Sequence, residues 1–244
     1  MTAFRDDLIE IISRRQATVV VGSGVSIATS DLKYASWIGL LENGINRCAE
    51  KDSTFNGPAQ HAVLANSAGH LPSMLGLATT ISMTLKGFGG EYARWLKDTV
   101  GQLKRDHPEL LHAIAGLGLA IATTNYDSLL EQETGLPYIT WTNHGALQDF
   151  LRGNRQFIAH LHGYFEEPES VIFDEHGYAN LADSLPAQAA QQFLAMSSSL
   201  IFVGCGDGLL DPNFSSLCDW IATRMRAGVK IGHSTPRERR VAAE

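Results

Sequence analysis

Short aliphatic and β-branched runs alternate along the chain with stretches whose apolar residues recur every three or four positions. The first run, Ala17-Thr18-Val19-Val20-Val21, is continuously hydrophobic, the pattern of a strand covered on both faces. Leu119–Thr123, Tyr138–Trp141, Phe157–Leu161 and Ser199–Val203 repeat it. Helical spacing is carried by Phe4, Leu8, Ile11 and Ile12, and after the first strand by Trp37, Leu40, Leu41, Ile45 and Cys48. Met74, Leu77, Ala78, Ile81 and Leu85 form another stripe, as do Tyr92, Trp95, Leu96, Val100 and Leu103. Lys86-Gly87-Phe88-Gly89-Gly90 reads as the turn between these two.

Further helices are predicted from Ser128 to Glu133, closed by Gly135 as a C-terminal cap, and from Ala187 to Met196. A last one opens at Asp211-Pro212, an N-cap followed by proline at the first helical position, and would bury Phe214, Leu217, Ile221 and Met225. Strands alternating with helices imply a parallel sheet covered on both sides. The expected fold is a doubly wound α/β domain spanning 1–244, with a small helical insertion near residues 51–105.

Composition narrows the class. The chain has 244 residues, 44% hydrophobic and 18% charged, which fits a globular protein with a substantial core and argues against disorder. Net charge is −7, and the short Arg237-Glu238-Arg239-Arg240 stretch is the longest basic tract. A nucleic-acid face is therefore not expected. Residues 53–85 contain no Asp, Glu, Lys or Arg. Prolines, asparagines and histidines interrupt them, however, and the longest apolar run, Ala113–Ala122, is well short of the ~20 residues that span a bilayer. No membrane association is expected. Met1-Thr2-Ala3-Phe4-Arg5-Asp6-Asp7 lacks the pattern of a secretory leader. The three cysteines, Cys48, Cys205 and Cys218, exclude by count both a disulfide framework and a four-cysteine zinc site. A reduced, cytoplasmic protein is the expectation.

Candidate chemistry collects at strand ends. In an open parallel sheet, ligands bind beyond the carboxyl ends of the strands, and four predicted strands run into polar or glycine-rich sequence there: Gly22-Ser23-Gly24-Val25-Ser26, Thr123-Thr124-Asn125-Tyr126-Asp127, His160-Leu161-His162-Gly163 and Gly204-Cys205-Gly206-Asp207. Gly22 and Gly24 permit a tight turn that brings backbone N–H groups against a phosphate, with Ser23 and Ser26 as further donors. An ordinary strand-to-loop turn reads the same, because the spacing is not G-x-G-x-x-G and the P-loop lysine is missing. Asn125 both donates and accepts, and Asp127 accepts, so the two suit ribose hydroxyls and an attacking water. Capping of the following helix suits Asp127 equally.

His160 and His162 lie two apart and would share one face of a regular strand. Position separates them: His162 stands where the chain leaves the sheet, and His160 further in suits a core or supporting place. Cys205 reads as a small lining residue, with no local feature marking an activated nucleophile. Asn213 is a candidate cofactor contact, whereas Asp211 suits a plain N-cap.

The ordered set of four motifs, with Asp-Pro-Asn-Phe at 211–214 downstream, resembles the sirtuin superfamily, and most closely its bacterial sirtuin-like branch associated with anti-phage defence. The resemblance spans about residues 18–214. It implies a Rossmann-like NAD-binding domain with an inserted module. Gly22, Ser23, Gly24 and Ser26 would lie at the phosphates, Asn125 and Asp127 near the nicotinamide ribose, His162 as the active-site histidine, and Gly204, Cys205 and Gly206 on the adenosine side. Two features depart from protein-deacylating sirtuins. Between His162 and Gly204 there is no cysteine, so their four-cysteine zinc module is missing and no zinc is expected. The Gly-Ile-Pro-Asp-Phe-Arg stretch is replaced by Val25-Ser26-Ile27-Ala28-Thr29-Ser30.

The function the resemblance implies is therefore NAD hydrolysis to nicotinamide and ADP-ribose, with Asn125 and His162 catalytic and NAD as substrate. In cells the implied role is a defence effector that depletes NAD on activation, held off by homo-oligomerisation or by a sensor domain or subunit. An NAD-dependent deacylase and a non-catalytic NAD or ADP-ribose sensing module are the alternatives.

Overall fold

The computed structural model describes residues 2–67 and 70–206. Helix α1 (Thr2–Ser13) leads into β1 (Ala17–Val21), and six helices follow before the next strand: α2 (Ser23–Thr29), α3 (Trp37–Lys51), α4 (Gly57–Asn66), α5 (Leu71–Lys86), α6 (Glu91–Asp98) and α7 (Glu109–Gly116). The rest alternates: β2 (Ala120–Thr123), α8 (Leu129–Thr134), β3 (Tyr138–Thr140), α9 (His144–Leu151), β4 (Ile158–His160), α10 (Glu175–Asp183), α11 (Leu185–Ser197) and β5 (Ser199–Val203). The predicted final helix from Asp211, with Cys218 and Asn213, lies outside the described residues.

All five strands are parallel, in the order β3-β4-β2-β1-β5. Alternation along them separates two cores. Val19, Val21, Ile121 and Ile158 face Val25 of α2, Leu111 and Ile114 of α7, and Leu129 and Leu130 of α8. Val20, Ala122 and Ala159 face Leu147 and Phe150 of α9 and Ala190 and Leu194 of α11. Helices on both faces of a parallel sheet make this the doubly wound α/β, Rossmann-like architecture.

A third core belongs to the helices between β1 and β2. The predicted stripes of α3 and α5 meet there, with Leu40, Leu41, Ile45, Leu77, Ala78, Ile81 and Leu85 all buried. Residues 51–105 hold α4, α5, α6 and a 3-10 turn at Val100–Gln102. The segment after β4 closes over this core with Tyr164, Phe165, Val171 and Phe173, and Phe173 meets the edge of Trp95 at 5.3 Å.

Two sequence expectations change. The stripe from Tyr92 to Leu103 is not one helix, because α6 ends at Asp98 and the 3-10 turn carries Val100 inward. The α1 stripe is only half-buried at Leu8, Ile11 and Ile12, and Phe4 stays 73% exposed.

Glu91, at the start of α6, fastens it to α3. Its side chain is 2% exposed and pairs with Arg47 and Arg94, and with Lys51 at 3.3 Å. Burial works against the charge, yet Arg47 and Lys51 outweigh it and hold the carboxyl below its ordinary value of 4.5. Removing one partner of a fully buried pair costs about 3–5 kcal/mol, and the part-exposed cations can return to water. Glu91→Gln is therefore expected to cost about 2 kcal/mol, lowering Tm by roughly 4–8 °C. A group with a lowered folded pKa stabilises fully above its unfolded value and progressively less as pH falls through the folded one. The Tm gap between parent and variant should hold at neutral pH and shrink below about pH 4.5. A scanning-calorimetry series across pH checks both.

Candidate functional site

The carboxyl ends of β1, β2, β4 and β5 open into one cleft of about 670 Å³, within the range of ~300–1,000 Å³ usual for small-molecule sites. Ser23, Gly24, Thr124, Asn125, Asp127, His162, Gly204, Cys205 and Gly206 line its polar side. Tyr34, Trp37 and Ile38 before and within α3, with Leu71 and Met74 of α5, line an apolar side. Four sequence segments expected to converge thus meet at one place. Of the predicted site residues, Gly22 and Ser26 lie beneath the wall rather than in it, and Asn213 is outside the described residues.

The glycine stretch departs from a phosphate-cradling loop. Helix α2 begins directly at Ser23, with Gly22 as its N-cap. The N–H of Gly22 donates to Val203 O at 2.9 Å and that of Gly24 to Gly204 O at 2.8 Å. These two donors are engaged by the β5 end. What the glycines provide is close approach. A Cβ on Gly24 would stand 2.7 Å from Gly204 O, and one on Gly204, whose φ is +69°, 2.6 Å from the Val25 nitrogen. The two strand ends interlock backbone to backbone.

Asn125 is the centre of the polar side. Its Nδ2 donates to Gly22 O at 3.1 Å and to Ser26 Oγ at 2.8 Å. A carbonyl oxygen only accepts, so Gly22 fixes which way the amide faces. The Ser26 hydroxyl in turn donates a hydrogen bond to Asp127 Oδ2 at 2.7 Å. With both amide hydrogens committed, Oδ1 of Asn125 is left as an acceptor at the cleft wall, accepting no hydrogen bond from any described residue.

Asp127 does the capping work that sequence alone left open. Its Oδ1 accepts from the Leu129 N–H at 3.0 Å, at the start of α8. Burial pushes its carboxyl above the usual range, against the pull of the Ser26 hydroxyl and the Leu129 N–H. It is 6% exposed, and its other oxygen holds Ser26.

His162 lines the cleft at 4% exposure, just past the end of β4, and its ring meets that of Tyr178 edge-on at 6.0 Å. His160 is 1% exposed and makes no part of the cleft wall. Its Nδ1 is 2.8 Å from Asn125 O and its Nε2 2.7 Å from Glu131 Oε1. Cys205 sits at the wall with its thiol directed at Val20 O, 3.5 Å away. Burial raises that thiol to about 11, so at neutral pH it is protonated and a poor nucleophile.

Sequence reasoning missed Tyr178 and the wall made by Tyr34, Trp37 and Ile38. Trp37 was grouped with the buried face of α3, but it begins the helix and is only half-buried, at the cleft mouth. Its place at N1, after the N-cap Ser36 that accepts from Gly39 N, was the available signal that it leads the helix rather than packs inside it.

Among the described residues, no group of three His, Cys, Asp or Glu is placed to hold a metal ion, and no helix is long and apolar enough to cross a membrane.

Sheet order and a cleft at the strand ends place the protein in the doubly wound, ligand-binding α/β class. Residues 119–239 match the model of the SIR2-like domain. Three of the four motifs fall inside that match; the glycine stretch at 22–26 precedes it. The chain is also similar to anthranilate synthase component 2 of Pseudomonas aeruginosa, 32% identical over 133 residues, which are 52% of this chain and 65% of that protein. The match thus spans less than two thirds of the relative's length, and no residue of the cleft is assigned from it.

Proposed function

We propose that the cleft binds NAD and cleaves its nicotinamide–ribose bond with water, releasing nicotinamide and ADP-ribose. The observation that carries this reading is the Asn125 amide, locked by Gly22 O and Ser26 so that its oxygen faces a cleft shared with His162. The SIR2-like match over residues 119–239, which contain Asn125 and His162, supports it. The reaction breaks the C1′–N bond with its electron pair leaving on nicotinamide. A water oxygen bonds C1′ and gives up a proton. Nicotinamide departs neutral, so the site needs little acid catalysis. It must position the ribose, stabilise positive charge at C1′ and admit one water.

In this reading Asn125 Oδ1 accepts from the attacking water or a ribose hydroxyl, and His162 bonds the ribose hydroxyls and takes the departing proton. The apolar wall of Trp37, Ile38 and Leu71 shields the bond being broken from bulk water. The wider role we propose is that of a cytoplasmic defence effector draining NAD, held inactive by self-assembly or a sensor partner. Incubation of the purified protein with NAD and chromatographic separation of the products tests the chemistry. Equimolar nicotinamide and ADP-ribose are expected. Thermal stabilisation by NAD without nicotinamide release would instead identify a sensing module, and turnover that requires an acyl-lysine peptide would identify a deacylase.

A further inference from the structure

A buried imidazole–carboxylate pair, His160 and Glu131, stands behind the cleft wall without lining it. His160 ends β4, in register with Thr123 of β2. The carbonyl of Asn125 can only accept, so the ring proton facing it is on Nδ1. Glu131 of α8 holds Nε2 from the far side. Tyr164 meets the ring at 4.7 Å and 63°, and Tyr138 at 6.3 Å and 88°, leaving the imidazole one orientation.

The main chain of Asn125 is consequently gripped at both ends. Its N–H donates to Thr123 Oγ1 at 3.0 Å, and its carbonyl accepts from His160 at 2.8 Å. Without the second bond a buried carbonyl has no donor and the peptide after Asn125 loses its stop. Rotation there swings the side chain off Gly22 O and Ser26 Oγ, and the acceptor oxygen with it. The rest of the cleft wall, made by other residues, is not disturbed.

We infer that His160 is a positioning residue for the acceptor oxygen of Asn125, acting through that residue's main chain, with Glu131 fixing the orientation of the ring from its other nitrogen. The role rests on the reading of the cleft as an NAD-cleaving site. Two substitutions separate the two ends of the ring. Asparagine at 160 offers an N–H where Nδ1 now lies, and glutamine offers one where Nε2 lies. His160→Asn therefore keeps the grip on Asn125 and gives up Glu131, and His160→Gln does the reverse. Turnover of NAD is expected to fall about ten- to hundredfold in His160→Gln, with its calorimetric Kd for NAD within about twofold of the parent. His160→Asn is expected to stay within about threefold of parental turnover.

A ring that merely fills space predicts equal losses in the two variants, and equal losses overturn the inference. Nitrogen-15 spectra of the unsubstituted protein give a readout that needs no variant to fold: a protonated, hydrogen-bonded Nδ1 on His160 is expected, and a bare Nδ1 overturns it. A parent protein that binds NAD yet releases no nicotinamide overturns the cleavage reading and the positioning role together. An active parent with a fully active His160→Gln overturns the positioning role alone.

Discussion

Asn125→Ala is expected to lower nicotinamide release from NAD at least a hundredfold, with the fold intact. Misplacing or losing a group that orients the attacking water costs about 10²–10⁴ in rate, and nothing else described on the polar wall offers an acceptor fixed by two donors of its own. The more telling substitution is Asn125→Asp, because it keeps an oxygen at the cleft and loses the donor. A carboxylate cannot give a hydrogen bond to Gly22 O, and it would stand against the Asp127 carboxylate across the Ser26 hydroxyl. Turnover should therefore fall about as far as in Asn125→Ala. Single-turnover assays of both variants, with thermal melts to establish folding, make the measurement. Parental turnover in either would remove Asn125 from the chemistry.

A large stability effect is expected at Gly24. Its missing side chain lets α2 begin against the β5 end, and a methyl group there would meet Gly204 O at 2.7 Å and Gly204 Cα at 3.0 Å. Those are backbone atoms, which cannot turn aside as a flexible side chain can. Overpacking of this kind costs about 3 kcal/mol, a fall of roughly 6–12 °C in Tm. Because the strained atoms also line the cleft, NAD binding should weaken in parallel. Gly76→Ala is the control: a Cβ there meets nothing within 4 Å, in the middle of α5. It should be neutral or stabilise by up to about 1 kcal/mol, since alanine is the better helix former. Melts of the two variants side by side give the comparison.

These two residues also show what the sequence made legible. Asn125 stood out because a strand-end asparagine between threonine and tyrosine has no evident structural duty, and the structure gives it a central place on the polar wall. Gly24 was read as part of a tight turn after the first strand, and Gly-Ser-Gly-Val-Ser has poor helix propensity. The helix forms there all the same, since burial of Val25 and the bonds to β5 outweigh propensity. Strands were plain wherever they were β-branched and buried on both faces, as in Ala17–Val21.

The helices α9 and α10 went unread because neither carries a clean apolar stripe. Their caps were the better signal: Asn143 accepts from Ala146 N, and Asp174 from Gly177 N. Position along the strand separated His162, which lines the cleft, from His160, which does not. Nothing local announced that His160 would meet Glu131, 29 residues away on another element. Long-range polar partners of this kind leave no periodicity behind them.

The interlock at the end of β1 has a consequence for synthesis. Val21 pairs with Val203, so one wall of the cleft joins the first strand of the sheet to the last. A ribosome adding about 5–20 residues each second must deliver nearly the whole described chain before that wall exists. Until then the growing polypeptide holds Asn125 and His162 without a closed chamber to put them in. On the proposed reading, cleavage of NAD would therefore wait until β5 has been made and has docked beside β1.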